Sequence, residues 1–306
     1  MEHLLRNFFL FMAKNKTLNN SARKYGLRFG AGRFVAGETL ESALVVIEEL
    51  NKRGMAVTID HLGEYVYNDH EANQMAEHCV NALQGIARKQ VDSNLSLKLT
   101  SMGLDISREL CLQNMRRILA TAREYQNFVR IDMEDYAHLE STLEIYYQLR
   151  EEGYDNVGLV IQAYLYRSKQ DIEDLAKYDT NLRLVKGAYK ESTEVAFPQK
   201  AQVDENFKKI IALQLKRGNY AAIATHDIAI INYTKEFIKA NQIPLNQFEF
   251  QMLFGICKEL QQQLVQEGYR VRIYVPYGTD WYGYFMRRLA ERPANVAFVL
   301  KGIIKN

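Results

Sequence analysis

The segment LRLVKGA, residues 182–188, is followed by ENFKKIIALQLKR, residues 205–217, and together they show the repeating unit of the chain. The first segment is a short run rich in leucine and valine, as expected of a strand buried on both faces of a parallel sheet. The second has apolar residues at helical spacing with charged residues between them, which indicates an amphipathic helix. The two segments therefore predict one β/α unit.

Seven further runs of the same kind occur, each followed by a segment with helical periodicity. They are MAVTID (55–60), LSLKL (95–99), FVRIDM (128–133), VGLVIQAY (157–164), AAIAT (221–225), FEFQML (248–253) and VRIYVP (271–276). Eight units that begin about 31 residues apart are typical of a (β/α)8 barrel. The sequence therefore predicts the α/β class, with a (β/α)8 TIM barrel over residues 54–306 and an N-terminal helical arm over residues 1–53.

Composition and charge narrow the classes of function. The chain of 306 residues is 47% hydrophobic and 25% charged, which is ordinary for a soluble globular protein. The formal net charge of +2 gives no indication of nucleic-acid binding. Cys79, Cys111 and Cys257 show no CxxC spacing, which argues against a disulfide framework or a zinc cluster. This usage suits a reducing compartment, so a cytoplasmic protein is expected.

The N-terminal segment MEHLLRNFFLFMAKNK, residues 1–16, carries an apolar cluster that Arg6 and Asn7 interrupt. It lacks a small-residue cleavage site, and no run reaches the ~20 residues needed to span a bilayer. Neither a signal peptide nor a membrane span is therefore predicted. Two interpretations stay open: an amphipathic helix docked on the fold, or an interfacial helix on the inner face of the cytoplasmic membrane.

Active sites of (β/α)8 barrels lie at the C-terminal ends of the strands. Seven of the eight predicted strands carry a polar or charged residue at or near this end. Some of these residues can simply fill the barrel or pair with neighbours, but as a set they predict a polar pocket. They are Lys98, Asp132, Gln162, Arg183, Lys186, Thr225, His226, Gln251 and Tyr274.

Two strand ends have features of an anion or flavin site. Lys186 is followed by Gly187 and Ala188, and a glycine lets a ligand approach the main-chain N–H groups closely. The alternative there is a tight β/α turn with a solvated lysine. After the sixth strand, His226 and Asp227 open a helix, where they can cap it and hold an anion.

The segment YGYFMRRLAER, residues 282–292, is predicted to be the eighth helix because a proline follows its end. Tyr284, Arg287, Arg288 and Glu291 fall at i, i+3, i+4 and i+7, the stripe that normally faces the core. The two arginines can clamp a carboxylate, with Glu291 holding their geometry and Tyr284 adding a ring and a hydroxyl. The alternative is a solvated helix face with local ion pairs.

Several other kinds of site have no support in the sequence. The six histidines form no HxH or HExxH pair, so no metal site is predicted. No GxGxxG follows a strand and no GxSxG occurs, which argues against a Rossmann domain and a nucleophile elbow.

The strand-end motifs, taken in order, resemble those of the proline dehydrogenase family in its monofunctional bacterial form. The motifs are SLKL, RIDMED, VIQAY, RLVKGAYKE, ATHD, FEFQML, RIYVPYG and YFMRRLAER. They cover roughly residues 50–300, and eight motifs in order are far more specific than any one of them. Larger bifunctional relatives carry Trp where this chain has Lys190, and the first 50 residues fall outside the resemblance.

The resemblance implies a distorted barrel whose eighth helix lies over the barrel mouth, and FAD bound without a covalent link. It implies oxidation of L-proline to Δ¹-pyrroline-5-carboxylate, the first step of proline catabolism to glutamate, with hydride passing from proline C5 to flavin N5. The electrons then pass to a membrane quinone. No aldehyde dehydrogenase module follows the barrel, so a separate pyrroline-5-carboxylate dehydrogenase is expected to oxidise the product.

The resemblance also assigns roles to residues. Asp132 and Arg183 form the catalytic pair, with Asp132 organising the charged cluster and Arg183 near the reactive edge of the flavin. The residues implied for proline are Lys98, Arg287 and Arg288 at its carboxylate, Glu291 beside these arginines, and Tyr274, Tyr284 and Leu253 around its ring. The residues implied for the flavin are Met133, Gln162, Arg183, Val185, Lys186, Gly187, Ala188, Thr225, His226 and Gln251.

Three other functions are weighed against this one. A Schiff-base aldolase would use Lys98 or Lys186, but in an apolar setting. A flavin barrel of the methylenetetrahydrofolate reductase type would not require the paired arginines. A non-catalytic scaffold that uses the apolar N-terminal segment would leave the polar strand ends unexplained.

Overall fold

Eight parallel strands form a closed barrel in the chain. The computed structural model describes residues 31–63 and 66–291, with the side chains of residue 31 and of residues 288–291 outside the description. Each strand pairs with the next along the chain, and the last pairs with the first. The strands are β1 (Ala56–His61), β2 (Ser93–Leu97), β3 (Val129–Ile131), β4 (Val157–Gln162), β5 (Leu182–Val185), β6 (Ala221–Ala224), β7 (Phe248–Leu253) and β8 (Val271–Tyr277).

Nine α-helices are described within the same ranges. They are α1 (Leu40–Lys52), α2 (Asp69–Lys89), α3 (Arg108–Glu124), α4 (Tyr136–Glu151), α5 (Ser168–Leu175), α6 (Lys200–Lys216), α7 (Ile228–Ala240), α8 (Lys258–Gln266) and α9 (Trp281–Glu291). Short polar residues precede five of them, and the first of these is Thr39, whose Oγ1 accepts the N–H of Ser42 in α1. The side chains of Asn68, Ser107, Asp135 and Asp227 do the same for α2, α3, α4 and α7, which satisfies a donor that has no partner within the helix.

The predicted (β/α)8 barrel is confirmed. The aliphatic side chains of the strands lie in one continuous core, as expected of strands that are covered on both faces. Some strands are shorter than the predicted runs. Because β3 ends at Ile131 and β5 at Val185, Asp132 and Lys186 are the first residues after their strands, and Lys98 has the same place after β2.

The N-terminal arm is described from residue 31 onwards. α1 buries Leu44 and Ile47 in the same core as the strands. The backbone N–H of Ala36 donates to the carbonyl oxygen of Pro276 in β8, at 2.9 Å. These contacts attach the segment before β1 to the barrel.

Two predictions about the N-terminus are not decided by these contacts. The apolar segment of residues 1–16 lies outside the described residues, and the boundary between an arm of residues 1–53 and a barrel of residues 54–306 stays a prediction. In the part of the chain that is described, no helix combines the length and the apolar character needed to cross a bilayer.

The last described helix, α9, lies against the C-terminal end of the barrel. Leu62, which follows β1, and Ile256, which follows β7, belong to the same apolar cluster as the buried side chains of α9. The helix therefore covers the barrel where β1 and β7 end, as predicted for the eighth helix. Its buried side chains are Trp281, Tyr282, Tyr284, Phe285 and Met286.

Candidate active site

Asp132 and Arg183 meet inside the barrel near the C-terminal ends of their strands. Arg183 lies on β5 and is 5% exposed, and Asp132 directly follows β3. Nη1 of Arg183 donates to Oδ1 of Asp132 in a short hydrogen bond that is also a largely buried ion pair. Because β4 lies between β3 and β5, the pair spans the interior rather than joining neighbouring strands.

Two hydroxyl groups complete the surroundings of Asp132. Ser96 Oγ donates to Oδ1 and Tyr274 OH donates to Oδ2, each at 2.7 Å. Cζ of Arg183 lies 5.2 Å from the centre of the Tyr274 ring, within the range of a cation–π contact. Desolvation inside the barrel, followed by the charge of Asp132, raises the pKa of Tyr274 well above its usual value. The phenol therefore stays a hydrogen-bond donor to Asp132.

Gln162, at the end of β4, is held by only one end of its amide. Its Nε2 donates to the carbonyl oxygen of Glu134 at 3.0 Å, while its Oε1 is buried and has no hydrogen-bond partner within the described residues. The Glu134 carboxylate is in turn held by Thr100, whose Oγ1 donates to it at 2.7 Å. Met133 is also buried. A buried acceptor without a partner is costly, so Oε1 of Gln162 is a candidate ligand contact.

Lys186 is neither a solvated lysine nor a free positive charge at the rim. Its Nζ donates to Asp204 on α6 in a short bond and to Asp227, before α7, at 2.6 Å. The hydrogen bond from Lys186 is the main cause that lowers the pKa of Asp227. Burial acts to raise the pKa of Asp204, but Lys186 and Lys200 outweigh it and lower that pKa too. The ammonium therefore forms part of a charge cluster.

The backbone after Lys186 is reachable from solvent, with Gly187 and Ala188 exposed and Val185 half-buried. Gly187 has φ +112°, and a Cβ built on it would lie 2.2 Å from Cδ1 of Tyr164. The glycine is therefore required by the tyrosine ring as well as by its backbone conformation. Ligand approach to this main chain stays a prediction.

Thr225 and His226 connect β6 to α7 beside the end of β7. The N–H of Thr225 donates to the carbonyl oxygen of Gln251 at 3.1 Å, and Nε2 of His226 accepts the N–H of Leu253 at 3.0 Å. Asp227 caps α7 as predicted, through the N–H of Ala229. Within the described residues, no group of three or more His, Cys, Asp and Glu side chains could hold a metal ion.

The remaining residues implied for proline belong to three parts of the chain: Lys98 follows β2, Leu253 ends β7, and the others lie on α9. Nζ of Lys98 is 3.8 Å from Oδ2 of Asp60 on β1. Tyr284 is buried in the apolar cluster of α9, and Leu253 packs against that cluster. Arg287 is half-buried, and the side chains of Arg288 and Glu291 lie outside the described residues.

The sequence alone does not single out five residues that contact the predicted ones: Asp60, Ser96, Glu134, Asp204 and Glu249. Ser96 and Asp60 had a signal, because each lies on a strand next to a C-terminal end, and the period of two along β2 puts Ser96 on the same face as Lys98. Asp204 had none, since it is an ordinary charged position on α6.

Comparison with known proteins identifies the family of this chain. A family model described as "Proline dehydrogenase" matches residues 43–301. The chain belongs to the proline dehydrogenase family. It is 58% identical over 302 residues to Proline dehydrogenase 1 of Bacillus subtilis subsp. natto. That alignment covers 99% of this chain and 100% of the relative. The predicted resemblance to the monofunctional bacterial form is therefore confirmed.

The chain is also similar to more distant proteins, by sequence in one case and by fold in the other. Proline dehydrogenase of Deinococcus radiodurans is 42% identical over 309 residues, covering 100% of this chain and 99% of that protein. The crystal structure of proline utilization A (PutA) from Bdellovibrio bacteriovorus, inactivated by N-propargylglycine, matches with a TM-score of 0.80 and 27% identity. That match covers 85% of this chain and 32% of the larger protein.

Membership of the family gives the class of the enzyme. Proline dehydrogenases are flavin-dependent oxidoreductases that act on CH–NH donors, and proline oxidation is the first step of proline catabolism. This chain is therefore an oxidoreductase of that class.

Proposed function

We propose that the chain oxidises L-proline to Δ¹-pyrroline-5-carboxylate with non-covalently bound FAD and passes the electrons to a membrane quinone. The observation that carries the proposal is the buried Asp132–Arg183 pair at the C-terminal end of the barrel. Nη2 of Arg183 and Oε1 of Gln162 are both buried, and neither has a hydrogen-bond partner within the described residues. Nη2 is a donor and Oε1 is an acceptor, so together they can bind a ligand that offers an acceptor and a donor.

These two groups fit a flavin. An isoalloxazine ring has acceptor nitrogens and oxygens along one edge and an N–H donor beside them, which suits a guanidinium donor and an amide acceptor. FAD, when bound, would accept the hydride that leaves C5 of proline. The residues that would hold it are those at the ends of β3 to β7: Met133, Gln162, Arg183, Val185, Lys186, Gly187, Ala188, Thr225, His226 and Gln251.

The substrate side needs positive charge and an apolar wall. Proline is a zwitterion, so neutralising its carboxylate both binds and orients it. Lys98, Arg287 and Arg288 would supply that charge, with Glu291 holding the arginines. Positive charge near the ring also favours loss of the amine proton, which hydride transfer requires. The side chains that would pack around the ring are Tyr274, Tyr284 and Leu253.

The alternative chemistry of a Schiff-base aldolase is not favoured by the surroundings of the two candidate lysines. Lys186 is hydrogen-bonded to Asp204 and Asp227, and Lys98 lies beside Asp60. A Schiff-base lysine needs an apolar or cationic setting that keeps its amine neutral. Carboxylate neighbours do the opposite.

The partners follow from the chemistry. L-proline is the substrate, a membrane quinone is the electron acceptor, and a separate pyrroline-5-carboxylate dehydrogenase takes the product. We expect a cytoplasmic protein that contacts the inner face of the cytoplasmic membrane to reach the quinone. Sedimentation with anionic vesicles, with and without residues 1–16, tests that contact. If the protein sediments with the vesicles equally well without residues 1–16, this segment is not responsible for the membrane contact.

The test of the activity is the visible spectrum of the purified protein under anaerobic conditions, before and after adding L-proline. A flavin spectrum that proline bleaches, and glutamate and methylenetetrahydrofolate do not, supports the proposal. Mass spectrometry of the released flavin separates FAD from FMN, and quinone and NAD⁺ are compared as acceptors.

Two variants sharpen this experiment. Arg288→Ala should raise the proline KM sharply while flavin binding is kept. Arg117→Ala is the matched control, because Arg117 is an exposed arginine on α3 that pairs with Glu77. A protein that stays colourless after FAD is supplied would refute the proposal. A bound flavin that proline does not reduce, but that methylenetetrahydrofolate reoxidises once it has been reduced, would favour the reductase alternative.

A further inference from the structure

Glu249 is a buried carboxylate that is not among the predicted site residues. It lies on β7 two residues before Gln251, so both side chains project from the same face of the strand. Glu249 is 2% exposed and Gln251 is 4% exposed. An ionised group this deep in a barrel is costly unless it is paired and hydrogen-bonded, so its partners indicate its role.

The Glu249 carboxylate joins an arginine to the amide of Gln251. Its Oε1 accepts hydrogen bonds from Nε of Arg272 at 2.8 Å and from Nε2 of Gln251 at 2.6 Å. Its Oε2 lies 3.2 Å from Nε of Arg270. Burial acts to raise the pKa of Glu249, but the charge and hydrogen bond of Arg272 outweigh it and hold that pKa below its usual value. The carboxylate is therefore ionised at neutral pH.

Gln251 transmits this fixed geometry to Arg183. A carboxylate only accepts hydrogen bonds and a guanidinium only donates them, so Gln251 must turn Nε2 towards Glu249 and Oε1 towards Arg183. Oε1 accepts from Nε of Arg183 at 2.6 Å. A reversed amide would set donor against donor at one end and acceptor against acceptor at the other.

Gln251 and Asp132 together fix the plane of the Arg183 guanidinium. Nε is bound to Gln251 and Nη1 to Asp132. Because the group is planar, two contacts on different nitrogens also fix the third nitrogen, Nη2. Nη2 has no hydrogen-bond partner within the described residues, so this hydrogen-bond path from β7 sets where it meets a ligand.

We propose that Glu249 is a positioning residue for proline oxidation, which fixes the Arg183 guanidinium through Gln251 and offsets part of its positive charge at the bound flavin. The inference rests on the function proposed above. The barrel interior needs this negative charge, because Arg130 and Arg272 are buried there together with Arg183. Burial, followed by the charge of Arg183, lowers the pKa of Arg130 to about 9.

The test uses the full-length, FAD-loaded protein with Glu249→Gln. Loss of a buried negative charge favours the more negatively charged reduced flavin, so the equilibrium constant for flavin reduction should rise about tenfold, or about 30 mV for a two-electron couple. The kcat should fall at least about tenfold with the proline KM within about twofold, because positioning acts on the reacting geometry. A purely structural role would leave the midpoint potential unchanged.

The matched control is Asp92→Asn. Asp92 lies 3.7 Å from Arg270 and 4.0 Å from Arg272, but it is exposed and has no hydrogen bond to Gln251. This variant removes a charge beside the same arginines and should change neither kcat nor the midpoint potential.

A double-mutant cycle with Gln251→Met tests the path itself. If Glu249 acts through Gln251, adding Glu249→Gln to Gln251→Met should change kcat by less than about twofold. Independent, multiplicative losses would overturn the proposal. So would a folded Glu249→Gln protein with the wild-type kcat and midpoint potential.

Two provisions keep the test decisive. If Glu249→Gln does not fold, Glu249→Asp keeps the charge and withdraws the oxygen from Gln251; it should lower kcat, and a wild-type kcat would overturn the proposal. The wild-type protein is titrated with proline in parallel. If proline does not reduce its flavin, the proposed function fails, while the midpoint potentials still decide whether Glu249 acts on the flavin.

Discussion

Asp132 accepts a hydrogen bond from Arg183 across the barrel interior, although β3, which Asp132 follows, is not paired with β5, which carries Arg183. Asp132→Asn would leave the buried guanidinium without its carboxylate partner. Breaking one side of a buried pair costs about 3–5 kcal/mol, so we expect a loss of that size in the free energy of unfolding. We also expect kcat to fall about 100-fold, because Nη1 of Arg183 loses its charged partner and the guanidinium is held less firmly.

The matched control for this prediction is Glu152→Gln. Glu152 pairs with Arg116 at 2.7 Å on the protein surface, so the same carboxylate-to-amide change should cost no more than about 1 kcal/mol. Urea unfolding of the wild type and both variants gives the comparison, with proline turnover measured alongside. Equal costs in the two variants would contradict a buried pair at Asp132.

Gly187→Ala should be destabilising for two reasons. The φ of +112° is unfavourable for an L-residue, and the new Cβ would lie 2.2 Å from Cδ1 of Tyr164. Gly218→Ala is the control, because Gly218 has φ +82° and nothing within 4 Å of a built Cβ. We expect Gly218→Ala to cost about 1–2 kcal/mol and Gly187→Ala about 2 kcal/mol more, with reduced flavin content. A similar loss of stability in both variants would show that the Tyr164 ring moves aside at little energetic cost.

The strands and the ends that carry the site could be predicted from the sequence. Parallel strands buried on both faces leave aliphatic runs, and the polar residue that closes a run marks the rim. Asp132 closes its run, whereas Arg183 and Gln251 lie within theirs, and all three are among the polar residues that the sequence places at or near this rim. The apolar run predicts the strand, and the barrel topology then brings its end to the common rim.

What the sequence could not predict depends on distances across the interior and around the rim. The sequence predicts a solvated or ligand-facing charge at Lys186, whereas Lys186 pairs with Asp204 on α6 and Asp227 before α7. The sequence predicts space for a ligand at Gly187, but the ring of Tyr164, which follows β4, fills part of that space. Such contacts join residues from different units, and the spacing along one unit carries no record of them.

Lys186→Met should lower the free energy of unfolding by an amount that depends on pH. Lys186 contributes to lowering the pKa of both Asp204 and Asp227 in the folded state. A carboxylate with a lowered folded pKa stabilises above its unfolded value of 3.8 and loses this contribution as the pH falls through the folded value. The stability difference between wild type and variant should therefore be largest above pH 3.8 and shrink below it.

Urea unfolding between about pH 3 and pH 7 measures this difference. Lys208→Met is the control, because Lys208 is on the same helix, α6, and lies 3.8 Å from the exposed Glu205. Its effect should be small and nearly constant over the range. A Lys186→Met difference that does not shrink in acid would show that the two aspartates are not stabilised by this lysine.

His138→Gln should have the opposite pH dependence. Nδ1 of His138 lies 2.5 Å from Asp135, the cap of α4, and Nε2 lies 2.9 Å from Asp105 in the loop between β2 and α3. Only the protonated imidazole can donate from both nitrogens. Burial acts to lower the pKa of His138, but hydrogen bonds to Asp135 and Asp105 outweigh it and raise that pKa above 6.5.

The sign of the effect follows from this raised pKa. The stabilisation is fully present below the unfolded pKa of 6.5 and is lost as the pH rises through the higher folded value. His138→Gln should therefore destabilise the protein at about pH 6 and be nearly neutral at about pH 9 in urea unfolding. His70→Gln, on the first turn of α2, is the control, because His70 is exposed. A His138→Gln cost that stays the same at both pH values would mean that the imidazole holds the loop to α4 by packing rather than by charge.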